Sequence, residues 1–151
     1  MGILAAIRVR GSVDVKKEFR DTLKILRLDR VNHLVLVEEK QRTMLKKVQP
    51  FITFGEIKEE TLERLLQKRG RLAGDKRLDE KFLKKHNSFK EVAKEIISGK
   101  KKLKDFAIKP VFRLHPPKKG YERDGIKKSF HVGGALGYRA DDINKLIERM
   151  I

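Results

Sequence analysis

The stretch Asp21 to Val37, DTLKILRLDRVNHLVLV, decides how the rest of the chain is read. Phe19, Leu23 and Leu26 stand at i, i+4 and i+7, the spacing of one helical face. The four consecutive apolar residues Leu34, Val35, Leu36 and Val37 form a strand, and the turn before them carries Arg27, Arg30, Asn32 and His33. One side of this unit builds a core while its connection offers cations and hydrogen-bond donors. That is the arrangement of a small domain that folds on its own and holds a polyanion at its edge. Basic turns are also common on soluble proteins, so the turn alone does not settle the matter. The strand is more decisive. A strand with one wet face alternates apolar and polar residues, and this one does not, so both faces of its sheet are expected to be covered.

Working outward, Met1 to Arg10 reads as a first strand, with Ile3, Ala5, Ile7 and Val9 on one face and Leu4, Ala6, Arg8 and Arg10 on the other. Gly11 ends it, and Asp14 or Ser12 is the expected cap of a helix over Lys16 to Leu26. After the strand at His33 to Val37, the spacing of Met44, Leu45 and Val48 predicts a short second helix within Glu38 to Gln49, which Pro50 cannot continue. Phe51 to Ile57 is a third strand, and Gly55 within it predicts a bulge or a close backbone approach. Lys58 to Arg69 is a helix with Leu62, Leu65 and Leu66 inward and glutamates early, lysine and arginine late, an order that suits the helix dipole. The pattern to Gly70 is β-α-β-α-β-α.

Beyond Gly70 the composition shifts, and most of the excess positive charge lies there. Arg71 to Asp79 reads as a basic loop, Asp79 to His86 and Ser88 to Ser98 as two short helices, and Val111 to Leu114 as a strand after irregular backbone at Ala107 to Pro110. The run KKKLK at Lys100 to Lys104 follows the second helix. His115 to Lys128, with two prolines, two glycines and dense positive charge, is expected to order mainly on binding. The last helix starts near Ala140, with Ile143, Leu146, Ile147 and Met150 inward. This division gives a core over 1–70 and a basic extension over 71–151 that packs on it.

The formal charge is +17, from 38 Lys and Arg against 21 Asp and Glu in 151 residues. So much self-repulsion calls for an anionic partner. No stretch approaches the apolar length of a membrane span, and without cysteine there is neither a disulfide framework nor a thiolate metal site. His33, His86, His115 and His131 have no metal-ligand spacing. No nucleophile motif surrounds a serine, and the acid pairs Glu59-Glu60 and Asp141-Asp142 are explained by helix starts. No cofactor, metal or catalytic group is therefore expected. Gly134 to Gly137 matches a GxxG string, but two aspartates at the following helix start would repel a phosphate there. It reads better as a tight turn, or as backbone brought close to RNA or to the core.

The basic residues are the strong signal. They are spread over Arg8, Arg10 and Lys16, over Arg27 and Arg30 with Asn32 and His33, over Arg69, Arg71, Lys76 and Arg77, over Lys100, Lys101 and Lys102, and over Lys118, Lys119, Arg123, Lys127, Lys128 and Arg139. A DNA-groove helix would concentrate them. Spread patches suit a folded RNA read by shape, with counterion release supplying affinity.

The segments IRVRG at Ile7 to Gly11, DTLKILRLDRVNHLVLV at Asp21 to Val37, ITFGEI at Ile52 to Ile57 and KRGRLAGDKRL at Lys68 to Leu78 resemble the large-subunit ribosomal protein family L-thirty. The ending GGALGYRADDINKLIERM resembles its long archaeal and eukaryotic form, L-seven in eukaryotes, whereas the bacterial form stops near the third strand. The connection Glu38 to Thr43 is shorter than in many relatives. The resemblance implies an α+β, ferredoxin-like β-α-β-α-β core with a three-stranded antiparallel sheet plus the extension. It also implies a non-enzymatic role in the cytoplasmic ribosome, with large-subunit rRNA, the 5S rRNA neighbourhood and adjacent ribosomal proteins as partners. The alternative is a free RNA-processing or RNA-modifying factor on the same scaffold, since fold does not dictate function.

Overall fold

The computed structural model describes residues 2–151; Met1, the first residue of the expected opening strand, lies outside the described residues. The elements in order are β1 (Ile3–Arg8), α1 (Lys17–Ile25), β2 (His33–Glu38), α2 (Arg42–Lys47), β3 (Ile52–Glu56), α3 (Glu59–Arg69), α4 (Glu80–His86), α5 (Phe89–Ile97), β4 (Val111–Arg113), β5 (Gly137–Tyr138) and α6 (Asp142–Met150). The fold is α+β and ferredoxin-like, as the sequence reading expected.

The strands β2, β1 and β3 make the expected antiparallel trio with β1 at its centre. The sheet is larger than three strands, however. Its order is β4-β2-β1-β3-β5, because the extension adds a strand to each edge, β4 antiparallel to β2 and β5 parallel to β3. The physical reason is edge pairing: a bare three-stranded sheet leaves two rows of unpaired N–H and C=O groups. β4 falls on the strand read at Val111 to Leu114, whereas the two-residue β5 carries too little periodicity to be read from sequence.

Both faces of the sheet are covered. Leu4, Ala6, Val35, Val37, Ile52 and Phe54 pack under α1 and α2 with Leu23, Leu26 and Leu45. Ala5, Ile7 and Leu34 pack on the other face against Leu62, Leu65 and Leu66 of α3, Val92 and Ile96 of α5, and Ile143, Leu146 and Ile147 of α6. The uninterrupted run from Leu34 to Val37 is thus accounted for: alternate residues enter alternate cores, each buried aliphatic side chain contributing about 1.5–3 kcal/mol. The second core is built jointly by residues before and after Gly70.

Gly55 makes the close approach expected of it. A Cβ there would stand 2.1 Å from the Ala140 carbonyl oxygen and 3.1 Å from Ile143 Cβ, so only a glycine lets the start of α6 lie on β3. The helix cap expected at Asp14 or Ser12 is not formed. α1 starts after Lys16 with no side-chain cap. Asp14 sits at φ 54°, and the Ser12 hydroxyl instead accepts a hydrogen bond from Arg8.

Candidate nucleic-acid interface

The antiparallel register gathers the basic turns at one end of the sheet. Arg8 lies opposite Ile52, Ile7 opposite Leu34, and His33 opposite Arg113. The exit of β1, the entry of β2 and the exit of β4 therefore meet, and with them Arg10, Lys16, Arg27, Arg30, Asn32 and His33. The turn feeding β2 is held by backbone bonds before any ligand arrives. Arg27 and Asn32 adopt left-handed backbone, at φ 60° and 65°. The Leu28 N–H donates to the Leu23 carbonyl at 2.9 Å, and the Asn32 N–H to the Arg8 carbonyl at 2.8 Å. Arg27 and Arg30 are exposed on this rigid turn, while Asn32 and His33 are half-buried. His33 Nδ1 is buried without a partner. Burial first, and then the cations Arg113, Arg30 and Arg8, hold its imidazole below the ordinary value against the pull of Asp29.

Arg8, one of the basic residues that the sequence assigns to RNA binding, is turned into the fold. It is buried, and its guanidinium donates to the Leu28 carbonyl at 2.7 Å, the Asp29 carbonyl at 2.9 Å, the Arg10 carbonyl at 2.9 Å and Ser12 Oγ at 2.8 Å. These bonds tie the β1 exit to the β2 turn. Burial lowers its pKa, with Asp29 opposing. Arg139 is likewise turned inward. It forms a two-pronged pair with Glu122 at 2.6 and 3.1 Å, donates to the Ala135 carbonyl and to Thr53 Oγ1, and lies 4.7 Å over the Phe130 ring. Both arginines direct their donors to groups that the fold supplies.

The segment Arg71 to Arg77 is a short hairpin rather than an open loop. Arg71 pairs antiparallel with Arg77, Leu72 with Ile108, and the Leu72 N–H donates to the Lys76 carbonyl at 2.8 Å. Its one acid, Asp75, is held by Lys109, whose hydrogen bond keeps the carboxyl below the usual range, and lies 3.7 Å from Arg113. Arg69, at the end of α3, reaches the Ile151 oxygen at 2.8 Å. Lys76 and Arg77 are exposed.

The loop expected to order mainly on binding is anchored in the fold. The Lys118 N–H donates to the Arg149 carbonyl at 2.9 Å, the Asp124 N–H to the Gly133 carbonyl at 3.2 Å, and the Ala135 N–H to the Gly125 carbonyl at 3.1 Å. Arg149 donates to the Gly120 carbonyl, and the Tyr121 hydroxyl lies 3.2 Å from Asn32 Oδ1. That last contact brings the loop against the β2 turn, so Lys118, Lys119, Arg123, Lys127 and Lys128 stand exposed on a supported backbone. The glycine string supplies the close approach. A Cβ on Gly134 would fall 2.1 Å from the Lys128 carbonyl oxygen, so this turn packs on the loop instead of cradling a nucleotide.

Lys100, Lys101 and Lys102 lie elsewhere. Lys102 pairs with Glu38, at the opposite end of β2, at 2.8 Å, and Lys101 with Glu95 at 2.9 Å. The fold thus separates the lysine run from the arginine turns and partly neutralises it. Arg113 was absent from the sequence-derived set; its position after the apolar pair Val111-Phe112 was the available signal. Among the described residues no group of His, Asp and Glu is placed to hold a metal ion, and no helix is long and apolar enough to cross a membrane.

A basic ferredoxin-like domain that presents cations from braced turns, with its polar side chains spent on structure, is of the class built to hold a polyanion. Residues 4–52 match the family described as Ribosomal protein L30p/L7e. The chain is 54% identical to the large ribosomal subunit protein uL30 of Methanococcus vannielii over 97% of its length and 98% of that relative. It is 50% identical to uL30 of Nanoarchaeum equitans over 100% of both, and 43% identical to uL30 of Methanosphaera stadtmanae over 97% and 99%. The chain belongs to the L30p/L7e family of ribosomal proteins, whose members are not enzymes.

Proposed function

We propose that this protein is a structural constituent of the large ribosomal subunit that binds large-subunit rRNA in the 5S rRNA neighbourhood and stabilises its tertiary fold there, working in the cytoplasm beside adjacent ribosomal proteins. One observation carries the reading. At the β1-exit end of the sheet Arg10, Arg27 and Arg30 are held on fixed backbone with no carboxylate partner among the described residues, whereas acids pair with lysines at the other end. A rigid arginine fork can hold a phosphate bidentately at little further entropic cost. The binding face takes in Arg10, Lys16, Arg27, Arg30, Asn32 and His33, the group Arg69, Arg71, Lys76 and Arg77, and the braced loop with Lys118, Lys119, Arg123, Lys127 and Lys128. Lys100, Lys101 and Lys102 add long-range attraction from a separate surface, and Arg8 and Arg139 set the shape of the face. Residues 1–70 form the RNA-binding core, and 71–151 complete its sheet and carry the remaining cations.

The test is sedimentation of large subunits through high salt, followed by filter binding to large-subunit rRNA across a salt series. The protein should remain with the subunit, and log affinity should fall linearly with log salt, the slope easing by about one when Arg27 or Arg30 is replaced by glutamine. Release from the subunit together with salt-independent binding would overturn the reading.

A further inference from the structure

Five arginines of this fold face an acid: Arg42 faces Glu39, Arg64 faces Glu148, Arg113 faces Asp75, and Arg139 and Arg149 share Glu122. Arg69, Arg71 and Arg77 do not. Among the described residues none of the three has an Asp or Glu side-chain oxygen within 4.0 Å, although Asp75 lies in the same hairpin, because Asp75 is drawn to Lys109 and Arg113. Arg71 and Arg77 are directly opposite in the antiparallel bridge. Directly opposed residues point to the same face of a ribbon, and like charges so placed repel. Arg69 stands two residues before Arg71, its Nη2 tied to the Ile151 oxygen and its Nε buried with no acceptor. Burial and the nearness of Arg71 and Arg77 lower the Arg69 pKa, the mark of a cation beside cations.

We propose that Arg69, Arg71 and Arg77 form a preassembled clamp for a single tetrahedral phosphate group, supplied by the RNA backbone. The inference rests on the RNA-binding reading and sharpens it by assigning one phosphate to one place. The chemistry favours a phosphate over a lone carboxylate. Three planar forks carry five N–H donors each, and a phosphodiester offers charge and acceptors in several directions at once. The bound anion relieves the repulsion between the opposed arginines, and no reorganisation of the hairpin is required. Arg71 and Arg77 are held by backbone pairing, and Arg69 by its helix and the Ile151 oxygen.

The clamp is tested first in the free full-length protein, by following arginine Nε–H resonances as inorganic phosphate replaces chloride at constant ionic strength. The resonances of Arg69, Arg71 and Arg77 should move along one saturating curve, with Arg20 and Arg64, exposed and outside the binding face, unmoved. Arg77→Gln, at an exposed position, should weaken the phosphate affinity roughly tenfold, and Arg77→Lys should recover only part of it. Shifts that stay linear in phosphate, or that Arg20 and Arg64 share, overturn the clamp. The second arm uses large-subunit rRNA ethylated at random phosphates. A discrete interference position should appear with the wild-type protein and vanish with Arg77→Gln; an unchanged pattern in the variant overturns the assignment to RNA phosphate. If the wild type binds no RNA at all, the RNA-binding reading fails by itself, and saturable phosphate binding then identifies the source as the free anion.

Discussion

Replacing Arg139 by methionine keeps much of the side-chain length and removes a guanidinium that joins three distant segments. Arg139 is 3% exposed. It donates to Glu122 at 2.6 and 3.1 Å, to the Ala135 carbonyl at 2.8 Å and to Thr53 Oγ1 at 2.8 Å. Thr53 stays satisfied in the variant, because its hydroxyl still donates to the Gly137 carbonyl at 3.0 Å. The buried Ala135 carbonyl loses this donor, which costs about 1–3 kcal/mol. Glu122 is left with Arg149 alone, at 3.7 Å. Removing one partner of a buried pair costs about 3–5 kcal/mol. The Glu122 side chain is 21% exposed and keeps a second cation, so the lower end applies, with an expected loss of about 3 kcal/mol. For a domain of this size that loss lowers Tm by about 6–12 °C. Urea unfolding should show a reduced midpoint at unchanged slope. Adding Glu122→Met should restore part of the stability, since replacing both partners by apolar groups leaves no unpaired charge. A loss below about 1 kcal/mol, or a double variant less stable than Arg139→Met, would refute the assignment of Arg139 to a structural anchor.

Other outcomes follow from the same geometry. Arg30→Lys and Arg71→Lys keep the charge and lose the fork, and should weaken binding to large-subunit rRNA by roughly 1–3 kcal/mol with less effect on a scrambled RNA; Lys100→Arg, in the separate lysine run, should be nearly neutral in the same filter assay. Gly55→Ala forces a methyl group onto the Ala140 carbonyl and should destabilise by about 1–3 kcal/mol or more in a thermal melt; an unchanged melt would mean that α6 does not lie on β3. His33 has a folded pKa below its ordinary 6.5. As pH falls the unfolded chain therefore takes up its proton first, so the stability tied to a neutral His33 is present above about pH 6.5 and is lost as pH drops through the depressed folded value. His33→Gln should flatten that part of the stability–pH curve measured by urea unfolding.

Much of the fold is legible locally. Helical periodicity at Leu62, Leu65 and Leu66 and at Ile143, Leu146 and Ile147 marks faces that are buried in the structure. The unbroken run Leu34 to Val37 announces a sheet with two covered faces, and Gly55 a close approach. The strand β4 was legible at Val111 to Leu114 but its place at a sheet edge was not, and β5 was not read at all, because two residues of strand are defined by the partner they pair with. The anchoring of the loop 115–128 is hidden for a related reason: besides the nearby Gly133 turn, it is held by the Arg149 carbonyl and Asn32, both remote in sequence.

The candidate interface divides along the same line. Residue type sets the net charge, the preference for a polyanion and the absence of thiol chemistry, and these are properties of the chain before it folds. Whether a particular arginine is free to act is a property of what surrounds it. Arg8 and Arg139 look no different in sequence from Arg10 and Arg30, yet the first is spent on carbonyls 20 and 21 residues away and the second on Thr53, 86 residues away. Glu38 and Glu95 quiet two lysines of a run that reads as the most basic stretch of the chain. An electrostatic partner is found by distance in space, and burial strips a charge of its solvent and forces it to find one. Only the packed sheet, which brings the turns at the β1 exit together, decides which cations still face outward with donors to give.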